Sequence, residues 1–153
     1  MILDKNGDRI LAKYNANGSL KTIKAQLTIE KKINELLHNS ISDTELITHG
    51  RHVIIARNYA EFSVILLADQ SENELLLEEI LETLTEGIKH FCGRNLKLPV
   101  LFRYYTEVLL LFDEILSDGL VVSLDSEEIV ARVLMNDKWK ASKNSSNRKG
   151  LFF

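Results

Sequence analysis

The chain reads as one α+β domain, an antiparallel five-stranded sheet with helices on both faces, in the order β-β-α-β-β-β-α-α. Three observations predict it. Asn6-Gly7 separates two short apolar runs near the N-terminus, and an Asn-Gly pair between such runs marks a hairpin because both turn positions need positive φ. Between residues 45 and 67, β-branched and aliphatic runs follow one another through turns, with no crossover helix between them. From Ser71 to Phe91, Leu76, Leu77, Ile80, Leu81, Leu84, Ile88 and Phe91 recur at helical spacing, with Glu78, Glu79, Glu82 and Glu86 on the other side.

Taken in order, residues 1–15 supply the first two strands, and Leu20 to His38 forms an amphipathic helix with Ser19 available as its cap. ELITHGRHVIIARN, turning at Gly50, and the run Glu61–Leu67 give three more strands. The long helix begins at a capping box, Ser71 with Glu74, and stops at Gly93. Leu77, Leu81, Leu84 and Ile88 are its core positions. Asn95 to Pro99 is a loop, and Leu101 to Leu116 is a third helix, closed by Asp118-Gly119. Asp125 or Ser126 caps a short last helix, Glu127 to Met135. Residues 1–135 make the domain, and 136–153 read as a disordered basic tail.

A length of 153 residues fits one domain with a single core. No apolar run approaches the roughly 20 residues of a spanning helix, and the start carries no secretory pattern, which predicts a cytoplasmic protein. A lone cysteine, Cys92, fits a reducing compartment and reads as a small apolar side chain at a helix end. With a net charge of -3 and no basic stripe on the body, nucleic acid is not an expected partner.

Few residues suggest chemistry. His49 and His52 flank the Gly50 turn without a third ligand nearby, and read as turn polarity. Asp113 and Glu114 are neighbours, about 100° apart on a helix, so they cannot face one another as an acid/base pair. Phosphate-cradling glycine motifs are absent. No catalytic, cofactor or metal site is therefore expected. Phe102, Tyr104 and Tyr105 cannot all turn inward from one helix; they read either as partial burial against the sheet or as a partner contact. The basic residues from Lys138 to Lys149 read as a solvated tail or as a contact with an anionic membrane.

Several segments resemble a known family. Ile2-Leu-Asp-Lys-Asn-Gly-Asp-Arg-Ile-Leu-Ala-Lys-Tyr14, Gln26 with Ile29-Glu-Lys31 and Ile33, Glu72-Asn-Glu-Leu75, and Asp113-Glu-Ile115 followed by Asp118-Gly119, Val121, Asp125, Ile129 and Ala131-Arg-Val133 occur in order over about residues 2–135. Together they resemble the longin-like (SNARE-like) small subunits of vesicle coats, the clathrin adaptor small-chain family, and within it the zeta type of the coatomer, or coat protein complex I. Ser117, Asp118 and Ser123 depart from that pattern.

The resemblance implies a structural, non-enzymatic subunit without cofactors. It would be paired with the gamma coat subunit, a large helical solenoid, and through it with the heptameric coatomer. It implies an Arf-type GTPase and Golgi membranes as indirect partners, and retrograde Golgi-to-endoplasmic-reticulum transport as the process. A sigma-type adaptor subunit binding dileucine signals, or a longin domain tethering other trafficking proteins, are the alternatives. The partner-binding residues expected from exposed apolar positions are Phe102, Tyr104, Tyr105, Leu109, Val53 and Ile54. The first strand lies inside the sheet of this fold, so a start at Met1 leaves it short; a clipped strand or a start further upstream is expected.

Overall fold

Alternation along the strands decides which layer each side chain serves. The computed structural model describes residues 1–15, 18–38 and 42–135. Strands β1 (Ile2–Asp4), β2 (Arg9–Leu11), β3 (Thr44–His49), β4 (His52–Asn58) and β5 (Phe62–Asp69) form one antiparallel sheet in the order β2-β1-β5-β4-β3. Helix α1 (Ile23–Leu37) joins β2 to β3, and α2 (Glu74–Cys92), α3 (Leu98–Arg103) and α4 (Tyr105–Ile115) follow β5. A small hairpin comes next, β6 (Leu116–Ser117) with β7 (Leu120–Val121). A last helix, α5, runs over 126–135.

The five-stranded sheet and its helix on each face are as the sequence predicts. Ile54, Ala56, Ile65 and Leu3 point to one face, where they bury Ile33 of α1 with Ile29 and Leu36 at its margin. Val53, Ile55, Val64 and Ile2 point to the other, against Leu77, Leu81, Leu84 and Ile88 of α2 and the inner sides of α4 and α5. Burying a large aliphatic side chain in such a layer contributes roughly 1.5–3 kcal/mol. Cys92 closes α2 as a buried free thiol whose pKa burial raises, with Glu107 adding to the effect.

Several boundaries differ from the sequence reading. Thr22, not Ser19, caps α1, accepting from the Ala25 N–H, so the helix starts later than Leu20. Asn73 caps α2 by accepting from Leu75 N–H at 2.9 Å, while the backbone N–H and hydroxyl of Ser71 are both spent on Asp69 Oδ1. A residue bound to its own turn cannot also cap the helix. Pro99 lies inside the first turn of α3, where its missing N–H costs nothing. Asp118 (φ 49°) and Gly119 (φ 82°) are not a helix end but the two central residues of the β6–β7 hairpin, since α4 stops at Ile115. The residues 136–153, expected as a tail, lie outside those described.

One buried carboxylate holds the α1 layer in place. Glu30 is 2% exposed. Arg9 of β2 grips it with both prongs, Nη2 to Oε1 at 2.7 Å and Nε to Oε2 at 3.1 Å. Tyr14 donates its hydroxyl to the same Oε1 at 2.7 Å, and the Arg9 guanidinium lies over the Tyr14 ring. Burial and the bond to Glu30 push the Tyr14 hydroxyl well above an ordinary phenol. Nearby, the Met1 amino group donates to the Ile65 carbonyl at 2.7 Å, and burial brings its pKa down to about 5.

Because a buried ion pair broken on one side leaves the other charge stranded, Glu30→Ala is expected to cost roughly 2–4 kcal/mol, somewhat below the fully buried case because Arg9 is partly solvated. Tyr14→Phe should cost about 1 kcal/mol. Urea midpoints checked against unchanged far-UV circular dichroism measure both; a Glu30→Ala loss no larger than that of Tyr14→Phe would refute the assignment.

Candidate partner-binding surface

The features that place apolar side chains on the outside lie where α2, α3 and α4 meet. Gly87 of α2 faces Leu111 of α4 so closely that a Cβ there would stand 2.9 Å from Leu111 Cδ2. Leu111 is fully buried, so it has little room to retreat. This close approach seats α4 deep in its layer and fixes which of its faces is left outside. At the other end, Glu61 in the β4–β5 turn accepts the Leu98 N–H at 2.7 Å, standing in for the side-chain cap that Lys97 does not provide.

The expected single helix from Leu101 to Leu116 is broken at Tyr104, whose φ of -104° and ψ of 25° leave the helical region. The break separates the three aromatics. Tyr104 turns back, its ring 6.5 Å from that of Phe91 and partly buried against the core. Phe102 stays 56% exposed, and Tyr105 and Leu109 are each 38% exposed. Tyr105 and Leu109, four residues apart, share one outward face of α4, and Phe102 is exposed on the adjoining α3, so the three make an apolar stripe across the two helices only as far as the break at Tyr104 allows. Tyr104 thus fits the reading of partial burial, while Phe102 and Tyr105 stay exposed, as a partner contact would require.

Val53 and Ile54 correct the expectation. They are 2% and 0% exposed and, as neighbours on β4, point to opposite faces of the sheet, one into each core layer. Neither is available to a partner while the sheet is intact. Sequence reasoning also passed over the β6–β7 hairpin, where Leu120 and Val121 are exposed. Asp118-Gly119 between aliphatic residues is a hairpin signal that could have found it.

The polar residues that suggested chemistry have structural partners. Asp113 pairs with Lys13, whose ammonium also donates to the Leu116 carbonyl at 2.7 Å, and Glu114 pairs with Arg132 of α5. His49 and His52 are direct partners across the β3–β4 hairpin and so stand on the same side of the sheet, where His49 borders a cleft beside α1. Among the described residues no group of three or more His, Cys, Asp or Glu could hold a metal ion, and no helix is long and apolar enough to cross a membrane.

Residues 1–140 match the clathrin adaptor complex small chain family. The chain belongs to that family. It is 28% identical over 132 residues to human coatomer subunit zeta-2, covering 86% of this chain but only 61% of that relative's length. To the coatomer subunit zeta of Saccharomyces cerevisiae it is 26% identical over 142 residues, covering 87% of this chain and 74% of the relative. Human AP-4 complex subunit sigma-1 is 24% identical over 93% of this chain and 96% of its own. The fold matches a chain of a homology model of the full-length AP-3 complex in a stretched open conformation, with a TM-score of 0.68, 21% identity and 95% of each chain covered. These findings bear out the longin-like α+β fold and the resemblance to vesicle-coat small subunits.

The α2–α4 contact can be tested by its non-additivity. Gly87→Ala should destabilise by about 1 kcal/mol, overpacking outweighing the gain in helix propensity. In a Leu111→Val background, where the crowding methylenes are trimmed, the same change should be neutral or stabilising. Thermal denaturation of the four proteins checks this; equal effects in both backgrounds would contradict it.

Proposed function

We propose that this chain is the zeta-type small subunit of a coatomer coat, paired with the gamma coat subunit. Through that subunit it takes part in Golgi-to-endoplasmic-reticulum and intra-Golgi vesicle transport, on the cytosolic face of the membrane. Its role in this reading is structural and involves no catalysis. The polar motif residues support it: Arg9, Tyr14, Glu30, Asn73, Glu114 and Arg132 all serve to hold the domain together, as a scaffold requires. The names of its relatives support a coat subunit directly.

The observation that carries the reading is the stripe of Phe102, Tyr105 and Leu109 on a rigidly seated helix pair. Aromatic and aliphatic side chains held outward at helical spacing suit burial in the concave side of a helical solenoid, with the area of an obligate interface. An isolated domain with this stripe uncovered should be poorly soluble. A sigma-type adaptor subunit that recognises dileucine sorting peptides is the second reading, favoured by the near-complete mutual coverage with the AP-4 sigma subunit.

Capture of the tagged chain from its own cells, with mass spectrometry of the large subunit that accompanies it, separates the two. The coatomer reading expects gamma coat protein in stoichiometric amount; an adaptin in its place would support the sigma reading instead. Phe102→Ala and Tyr105→Ala should each weaken capture by about tenfold or more, as for anchors in a desolvated interface centre. Leu109→Asp should abolish it. Retained capture by all three, in variants that melt as the parent does, would show that another surface binds.

A further inference from the structure

The opposite side of the sheet carries a second feature that the stripe does not use. β3 is the terminal strand of the five-stranded sheet and is six residues long, with no strand on its outer side among the described residues. Its ladder with β4 shows which backbone groups are free. His49 pairs with His52 across a two-residue turn, Ile47 with Ile54 and Glu45 with Ala56, and the Asn58 N–H bonds to the Asp43 carbonyl. In an antiparallel ladder the hydrogen-bonding residues alternate, so those of Thr44, Leu46 and Thr48 face outward, away from β4. No strand among the described residues pairs with them.

Native proteins commonly blunt such an edge with proline, a lysine on the strand, a bulge or a covering helix. β3 has the sequence Thr-Glu-Leu-Ile-Thr-His and a regular register along its length, so it carries none of the first three. The flank of α1 beside it is charged: Lys24, Thr28, Lys31, Lys32, Glu35 and His49 line the intervening cleft. Lys32 is spent on Glu35 at 3.0 Å, which leaves Lys24 and Lys31 exposed and, among the described residues, without an ion pair. This positive flank stands against a chain whose net charge is -3 and whose α2 exposes glutamates on the other face. On the α2 side of the same edge, Leu46 is 47% exposed.

We propose that β3 is a strand-addition site for an extended acidic segment of a partner protein, which pairs with the outward backbone groups of Thr44, Leu46 and Thr48. Side chains of an added strand alternate between the two faces. Those on the α1 side meet a flank where Lys24, Lys31 and Lys32 outnumber Glu35 and Glu45, an excess of positive charge that selects carboxylates; those on the other side meet Leu46, which selects aliphatic residues. The recognised pattern is thus alternating Glu or Asp with Val, Ile or Leu over about six residues. This site is separate from the α3–α4 stripe and does not depend on which large subunit the chain joins.

The test uses the full chain and a fluorescent eight-residue peptide of alternating Glu and Val, with a Lys/Val peptide as control, read by anisotropy and by amide chemical shifts. Binding of the Glu/Val peptide alone is expected, with shifts at residues 44–48 and on the α1 flank. Lys24→Glu with Lys31→Glu should weaken it about tenfold or more. Leu46→Pro removes an outward N–H while sparing the ladder to β4, so it should abolish binding in a protein that still melts cooperatively. A second, milder variant, Leu46→Thr, keeps the backbone donor and should retain most of the affinity, guarding against misfolding of the proline protein. Absence of binding, equal binding of the Lys/Val peptide, or full binding by Leu46→Pro would each overturn the proposal. So would dimerisation of the chain through β3 in sedimentation without peptide, since the edge would then serve a second copy.

Discussion

A carboxylate sealed inside an apolar layer must be matched or it unfolds its surroundings, and Glu30 imposes that condition on this domain. The match comes from Arg9 on β2 and Tyr14 just beyond it, so the first hairpin and α1 can close on the sheet only in the register that brings all three together. Lys13, between Arg9 and Tyr14 in sequence, faces the other way and ties this segment to the end of α4 through Asp113 and the Leu116 carbonyl. Glu114 then passes the connection to Arg132 of α5. A line of charged contacts thus runs from the α1 layer, around the sheet edge, to the last helix. The apolar layers supply most of the driving force, but these contacts choose one arrangement of them.

The layers themselves were legible in the sequence because periodicity reports burial directly. The continuous apolar runs of β4 and β5 and the helical stripe of α2 are consequences of which sides face a neighbour, and the sheet has a neighbour on each side. Caps were less legible, because several residues compete for the same N–H groups. Ser71 has the right chemistry for a cap but is drawn into the Asp69 turn, leaving Asn73 to do it. The break at Tyr104 had no local signal at all. It follows from α3 being anchored at one end by Glu61, 37 residues earlier in the chain, and α4 being seated by Gly87.

The candidate partner surface was half legible for the same reason. Aromatic content pointed to the segment after Pro99, but which rings face out depends on the break, which sends Tyr104 inward and leaves Phe102 and Tyr105 outside. Val53 and Ile54 look like exposed strand residues only if one face of β4 is open; covering both faces removes them from the surface. The motif residues that carry the family likeness are mostly internal ties. The exposed features that these ties position, the stripe on α3 and α4 first among them, are the ones that the proposed pairing with a large subunit would use.

Hydrogen–deuterium exchange of the chain alone and in complex with its co-purified large subunit tests that claim most directly. Added protection should concentrate in residues 98–110, while the already protected amides of β4 and β5 change little. Protection confined to the glutamate-rich outer face of α2, with residues 98–110 exchanging as freely as in the isolated chain, would contradict it.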